Sequence, residues 1–212
     1  MIGRMFRDRT EAGERLAQAL RDRVDGPVVV LGVPRGGVIV AAPVARLLDA
    51  PLDVVVPRKV RAPGNPELGV GAVAQGVEVL DEALLARLGI DASYLAREIA
   101  LEQEEVARRT EVYRGDRPPP DLVGRTAIVV DDGVATGGTA LAALRWARNA
   151  GAGRVVFAAP VGPAGAVARL ASEADDVILL QAPRSFHAVG EWYTVFDQTT
   201  DEEVRAALAA TT

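Results

Sequence analysis

Short, uninterrupted apolar runs alternate with helix-patterned stretches through most of this chain. The runs are Val28 to Val33, Asp53 to Pro57, "RTAIVVDD" from Arg125, "RVVFAAPV" from Arg154 and "DDVILLQAP" from Asp175. Between them stand "VIVAAPVARLLDA", "ALAALRWARNAGA" and "AGAVARLASEA". A strand that is apolar at every position, not at every second one, is buried on both faces, which happens when helices cover both sides of a parallel sheet. The expected fold is α/β: a doubly wound, mainly parallel sheet with helices on both faces. No internal repeat supports a solenoid, and no composition change demands a second unit, so residues 1–212 read as one domain.

Local signals fill in the rest. Residues 10–21, with Leu16 and Leu20 four apart, predict a short helix ending before Gly26-Pro27. Pro43 is expected to bend the helix around it or to mark a late start. "RAPGNPEL", Arg61 to Leu68, reads as an exposed loop, and "GVGAVAQGVEVL" as a hairpin turning at Gln75-Gly76. Residues 81–88 and 91–113 read as helices, the second with Leu95, Ile99 and Val106 on one face and a charged, solvated face opposite. "RPPPD" stops it at Arg117.

Composition removes several function classes. The chain has no cysteine, which excludes thiol catalysis, disulfides and cysteine-ligated metals, and one histidine, which leaves no multi-histidine metal site. A net charge of -5 and a pI near 5.1 argue against a dedicated nucleic-acid binder, while leaving room for a local basic pocket. No apolar run approaches the roughly 20 residues of a membrane span, and the first twenty residues have no secretory core, so the expected location is the cytoplasm.

Chemistry concentrates in "VVDDGVATGGTA", Val129 to Ala140. An apolar strand delivers Asp131 and Asp132 at its carboxyl end, and Thr136, Gly137, Gly138 and Thr139 lead into a helix. Small residues let backbone N–H groups reach an anion, and the helix N-terminus adds a favourable field. Taken singly, the acids could cap the helix and the glycines could make a tight turn. The order matches neither a triphosphate-binding G-x-x-x-x-G-K-[ST] loop nor a dinucleotide G-x-G-x-x-G. Two adjacent carboxylates beside a phosphate loop suit a sugar diol next to a single phosphate. "GVPRGG", Gly32 to Gly37, offers a second anion site at a strand end, with Arg35 as a charged fork and Gly36 and Gly37 allowing backbone approach.

"VVDDGVATGGTA" resembles the signature of type I phosphoribosyltransferases, which use 5-phosphoribosyl 1-diphosphate, and its "ATGGT" is similar to the adenine phosphoribosyltransferase version. The resemblance implies that Asp131 and Asp132 bind the ribose hydroxyls and contribute to a Mg²⁺ site, and that Ala135, Thr136, Gly137, Gly138 and Thr139 enclose the 5-phosphate. It makes Pro34, Arg35, Gly36 and Gly37 the diphosphate loop, with a cis peptide at Pro34–Arg35. Arg58, Lys59 and Arg61 open a segment where relatives carry a mobile lid. They are similar to the R-K-x-x-K motif of orotate phosphoribosyltransferases, although the last basic residue is an arginine one place early. Lys59, the sole lysine, and Arg58 join the two acids as catalytic candidates, and Arg61 joins the diphosphate loop.

The acceptor side is less legible. Ala135 stands where some purine salvage enzymes of the family have a third acid, and no general base stands out. A small hood is expected from residues 1–25 and 183–212, with an inserted hairpin and helices at about 61–117. Phe186, Trp192, Tyr193 and Phe196 could stack on a planar base or form a local core; His187 reads as an edge residue. The insertion and "GEWY" also resemble a widespread bacterial group of phosphoribosyltransferases with unassigned acceptor. The expected function is transfer of a phosphoribosyl group to a nitrogenous base with release of diphosphate, by a Mg²⁺-dependent homodimer. A donor-binding regulatory protein and a hydrolase of phosphoribosyl substrates are the alternatives.

Overall fold

A computed structural model describes residues 5–211. Helix α1 (Arg9–Arg21) precedes strand β1 (Val28–Gly32), helix α2 (Gly36–Leu47) and strand β2 (Leu52–Val54). Strands β3 (Arg58–Ala62), β4 (Asn65–Ala74) and β5 (Val77–Leu80) follow, then helices α3 (Glu82–Leu88) and α4 (Ala92–Arg114). The chain continues through β6 (Thr126–Val130), α5 (Gly138–Asn149), β7 (Arg154–Val161), α6 (Ala164–Leu170), β8 (Asp176–Gln181), a 3-10 turn (Val189–Trp192) and α7 (Asp201–Ala209).

The main sheet has the order β2-β1-β6-β7-β8, and every pair in it is parallel. Successive residues of each strand feed opposite faces. Val30, Ile128 and Val156 join a cluster with Leu16, Leu20 and Val44 on the side of α1, α2 and α7; Val29, Leu31, Val129 and Phe157 join Leu141, Leu144 and Leu170 on the side of α5 and α6. That double burial is why the strands are apolar throughout, and the doubly wound α/β expectation holds.

The chain leaves β1 toward β2 on one side and later enters β6 on the other, so the strand order reverses between β1 and β6. Val28 pairs with Thr126 and Gly32 with Val130, which ends both strands at one level and brings the loops that follow them side by side. In open α/β sheets, ligands enter at this kind of reversal.

Three local expectations need correction. The strand expected at 53–57 is Leu52–Val54, after which the buried Val55 still donates its N–H to the Gly32 carbonyl at 3.2 Å, and Arg58 and Lys59 begin a new strand. The expected loop 61–68 belongs to an antiparallel pairing of β3 with β4, with Gly64 at a positive φ of 72° in the turn. Pro63, Gly64, Asn65 and Pro66 hide this hairpin, because turn formers crowd its tip and spill into the start of β4. Helix α2 starts at Gly36 and runs through Pro43, so of the two expectations for Pro43 the late start is the one overturned. The hairpin at Gln75-Gly76 forms as expected between β4 and β5. One face of the β3-β4-β5 sheet packs on α4 through Val60, Val70, Val73 and Val106, and the other on α5 through Ala72, Ala74, Val77 and Ala142.

Residues 1–4 of the expected N-terminal hood segment lie outside the described residues. Residues 6–7 and 192–195 run side by side: the Phe6 N–H donates to the Trp192 carbonyl, and the Thr194 and Val195 N–H groups donate to the carbonyls of Phe6 and Arg7, all at 2.8 Å.

Candidate functional site

The two loops at the β1–β6 reversal approach almost to contact, and two glycines permit it. A Cβ at Gly36 would stand 1.9 Å from Asp132 Oδ2, and one at Gly37 would stand 2.7 Å from the Val130 carbonyl oxygen. Any other residue at either place would push the loops apart. The Pro34–Arg35 peptide is cis, as expected for this loop. Neither α2 nor α5 receives a side-chain cap, so both helix N-termini present backbone donors toward the loops that precede them. Gly137 is left-handed, at a φ of 79°, which turns the chain from the acidic pair into α5, and a Cβ at Gly138 would point into open space. Ala135 and Thr136 are exposed.

The two acids differ in environment. Burial raises the Asp131 carboxyl well above the usual carboxylate range, and the neighbouring charge of Asp132 raises it further; the Asp132 N–H, donating to Asp131 Oδ1 at 2.8 Å, opposes this. Asp132 Oδ2 instead accepts from Arg9 Nε at 2.8 Å. Arg9 was not among the expected site residues. Its Nη1 donates to the Asp197 carbonyl at 2.8 Å, and its guanidinium carbon lies 3.9 Å from the centre of the Phe196 ring. The Tyr193 hydroxyl donates to the Asp132 carbonyl at 2.6 Å, and burial pushes that hydroxyl up.

A family model for the phosphoribosyl transferase domain matches residues 7–194. The chain belongs to this family. Two Mycobacterium tuberculosis proteins, from strains CDC 1551 and H37Rv, each named "Putative phosphoribosyl transferase", are 47% identical to it over 206 residues, which is 97% of this chain and 46% of theirs. The chain thus spans about half the length of these relatives. The crystal structure of TT1426 from Thermus thermophilus is 48% identical, with a TM-score of 0.82 over 97% of this chain and 98% of that one. The fold is that of the type I phosphoribosyltransferases.

In this phosphoribosyl transferase domain the expected lid residues separate. Arg58 Nε donates to Glu102 at 2.7 Å, and Arg61 donates to the same carboxylate, with Glu98 at 3.8 Å. Glu102, on α4, is 6% exposed, so both arginines are turned toward α4. Lys59 lies on the opposite face of β3. Its stem runs over Gly69, where a Cβ would meet it at 3.0 Å, and its Nζ donates to the Glu67 carbonyl at 3.4 Å. It opens onto a cavity of about 330 Å³ shared with Thr136, Gly138, Thr139 and Arg169. The structure therefore groups Lys59 with the "ATGGT" loop, not with "GVPRGG". Arg35 Nη1 is 3.9 Å from Asp201, which also accepts from the Tyr113 hydroxyl at 2.8 Å; burial and that bond push Tyr113 up to about 12.

The aromatic candidates also divide. Tyr193 is buried between Phe6 and Phe196, with ring centroids at 5.5 and 5.0 Å, so its faces are closed to a planar base. Trp192 packs against the same cluster, and Phe186 is half-buried on the loop after β8. His187 is exposed, 3.3 Å from the Ser185 hydroxyl.

Proposed function

We propose that this domain transfers the phosphoribosyl group of 5-phosphoribosyl 1-diphosphate to a nitrogenous base. The observation that carries the reading is the meeting, at one reversal of strand order, of an acidic pair with two uncapped helix N-termini, whose glycines let the loops approach at Gly36 and Gly37 and leave open space at Gly138. Asp131 and Asp132 would accept hydrogen bonds from the ribose hydroxyls, residues 135–139 would enclose the 5-phosphate, and Pro34 to Gly37 would face the diphosphate. The C1–O bond breaks and its electrons leave with diphosphate; the base nitrogen forms the new C1–N bond and releases its proton to water. Holding the ribose by its diol and phosphate leaves C1 as the movable centre, so positioning supplies much of the rate.

Two adjacent carboxylates are hard oxygen donors of the kind Mg²⁺ takes, alongside the donor's own oxygens. Asp131 and Asp132 would hold the ion, which when bound offsets the charge of the departing diphosphate. Lys59 and Arg169, across the cavity from Thr136 and Thr139, would meet the 5-phosphate end of the donor. Lys59→Met is then expected to weaken ribose 5-phosphate by about tenfold, as when one charge-assisted contact is lost, and to spare diphosphate.

The test is product analysis with donor, Mg²⁺ and a panel of purine, pyrimidine and pyridine bases. Diphosphate release that depends on a base supports transfer. Release without a base indicates a hydrolase, and tight donor binding without turnover indicates a regulatory protein; either outcome overturns the proposal.

A further inference from the structure

Nothing in the sequence sets Arg9 apart from the many other arginines, yet two distant segments converge on its guanidinium with three contacts. Asp132 holds Nε, the Asp197 carbonyl holds Nη1 and the Phe196 ring lies beneath. The side chain is 13% exposed, and its Nε is 2.5 Å from where a Cβ on Gly36 would stand, which puts the cation directly against the N-terminus of α2. The other cations expected there face elsewhere: Arg35 leans to Asp201, Arg58 and Arg61 are held by Glu102, and Lys59 opens toward α5.

Asp132 Oδ2 lies between Arg9 and Gly36, where an anion would be stabilised both by the guanidinium and by the start of a helix. We propose that Arg9 is the cation that receives the donor's diphosphate, and that in the ligand-free protein Asp132 occupies its place as an internal anion. This rests on the donor reading above. When the donor enters, Asp132 turns to the ribose hydroxyls and the diphosphate takes over Arg9. The guanidinium is paired before and after the exchange, so no half-buried charge is left alone at either stage. Phe196 and the Asp197 carbonyl keep it in place meanwhile, a task for a flat, forked cation that can stack and donate at once.

Calorimetric titration of the full chain with inorganic diphosphate plus Mg²⁺, and separately with ribose 5-phosphate, tests the assignment. Arg9→Met is expected to weaken diphosphate by about 10- to 100-fold, the loss of a charge-assisted contact, and to leave ribose 5-phosphate within about twofold. Arg9→Gln, which keeps a donor for Asp132 without the charge, is expected to lose diphosphate as well. Titrated with diphosphate without Mg²⁺, so that its role toward the ion does not enter, Asp132→Asn is expected to strengthen diphosphate several-fold, and that gain is expected to shrink in the Arg9→Met background, because the two residues are coupled. If the Arg9 variants lose ribose 5-phosphate and keep diphosphate, Arg9 only positions Asp132 and the proposal is overturned. Wild-type protein that binds ribose 5-phosphate but not diphosphate overturns this proposal alone. Wild-type protein that binds neither overturns the donor reading with it.

Discussion

At Gly36 the backbone of α2 comes so close to the Asp132 carboxylate that one methyl group decides the shape of the cleft. Alanine would favour the helix, but its Cβ would fall 1.9 Å from Asp132 Oδ2 and 2.5 Å from Arg9 Nε, so the ion pair must part. Gly36→Ala is expected to cost about 1–3 kcal/mol through overpacking and to weaken donor binding at least tenfold, read by thermal melting and titration. Asp131 lends itself to a pH experiment. Its folded-state pKa is raised, so the folded protein holds that proton more tightly than the unfolded chain, and stability is lost as pH rises from about 3.9 through the raised value. Asp131→Asn removes that loss. Its melting temperature is expected to exceed wild type by roughly 2–4 °C at pH 8, as for a gain near 1 kcal/mol, with the gap closing below about pH 4. A gap that stays constant with pH would show that Asp131 titrates normally. The acids and glycines of this site were legible because their chemistry is local, a strand end followed by small residues. Arg9 was not: it opens an amphipathic helix like any surface arginine, and Asp132 lies 123 residues further on.

Among the elements, the β3-β4-β5 sheet departs most from what its residues suggest. Proline, glycine and asparagine at 63–66 read as an open loop, and three nearby basic residues read as a lid. Pairing across the hairpin and packing on α4 and α5, which no local pattern reveals, turn the segment into a fixed wall. Strands β1, β6 and β7 were legible for the opposite reason, since burial on both faces writes itself into nearly every position. Glu102 ties the wall to α4 by holding Arg58 and Arg61. Glu102→Gln leaves two half-buried arginines with weaker partners, and it is expected to cost roughly 1–3 kcal/mol, less than a fully buried pair because both arginines are partly solvated. Chemical denaturation measures that loss. Donor affinity is expected to stay within about twofold, because these arginines are held on α4 by Glu102; tighter donor binding in the variant would return them to the cleft.

For the molecule as a whole, the family likeness carries an expectation of pairing. Light scattering is expected to give twice the 22.3 kDa of one chain, and a mass of 22.3 kDa across working concentrations would oppose it. The side-by-side run of residues 6–7 with 192–195 has a consequence in time. Synthesis reaches Arg9 long before Phe196 and Asp197, which steady it, since 188 residues separate Arg9 from Asp197. Contacts so distant along the chain close late, because the intervening loop must first be drawn in. A nascent or clipped chain ending before Tyr193 would already have both glycine loops, the acidic pair and the Arg9–Asp132 pairing, but neither the Asp197 carbonyl nor the Phe196 ring that steady the guanidinium. Arg9 thus gains its full set of contacts only once residues 192–197 have folded back onto residues 6–9.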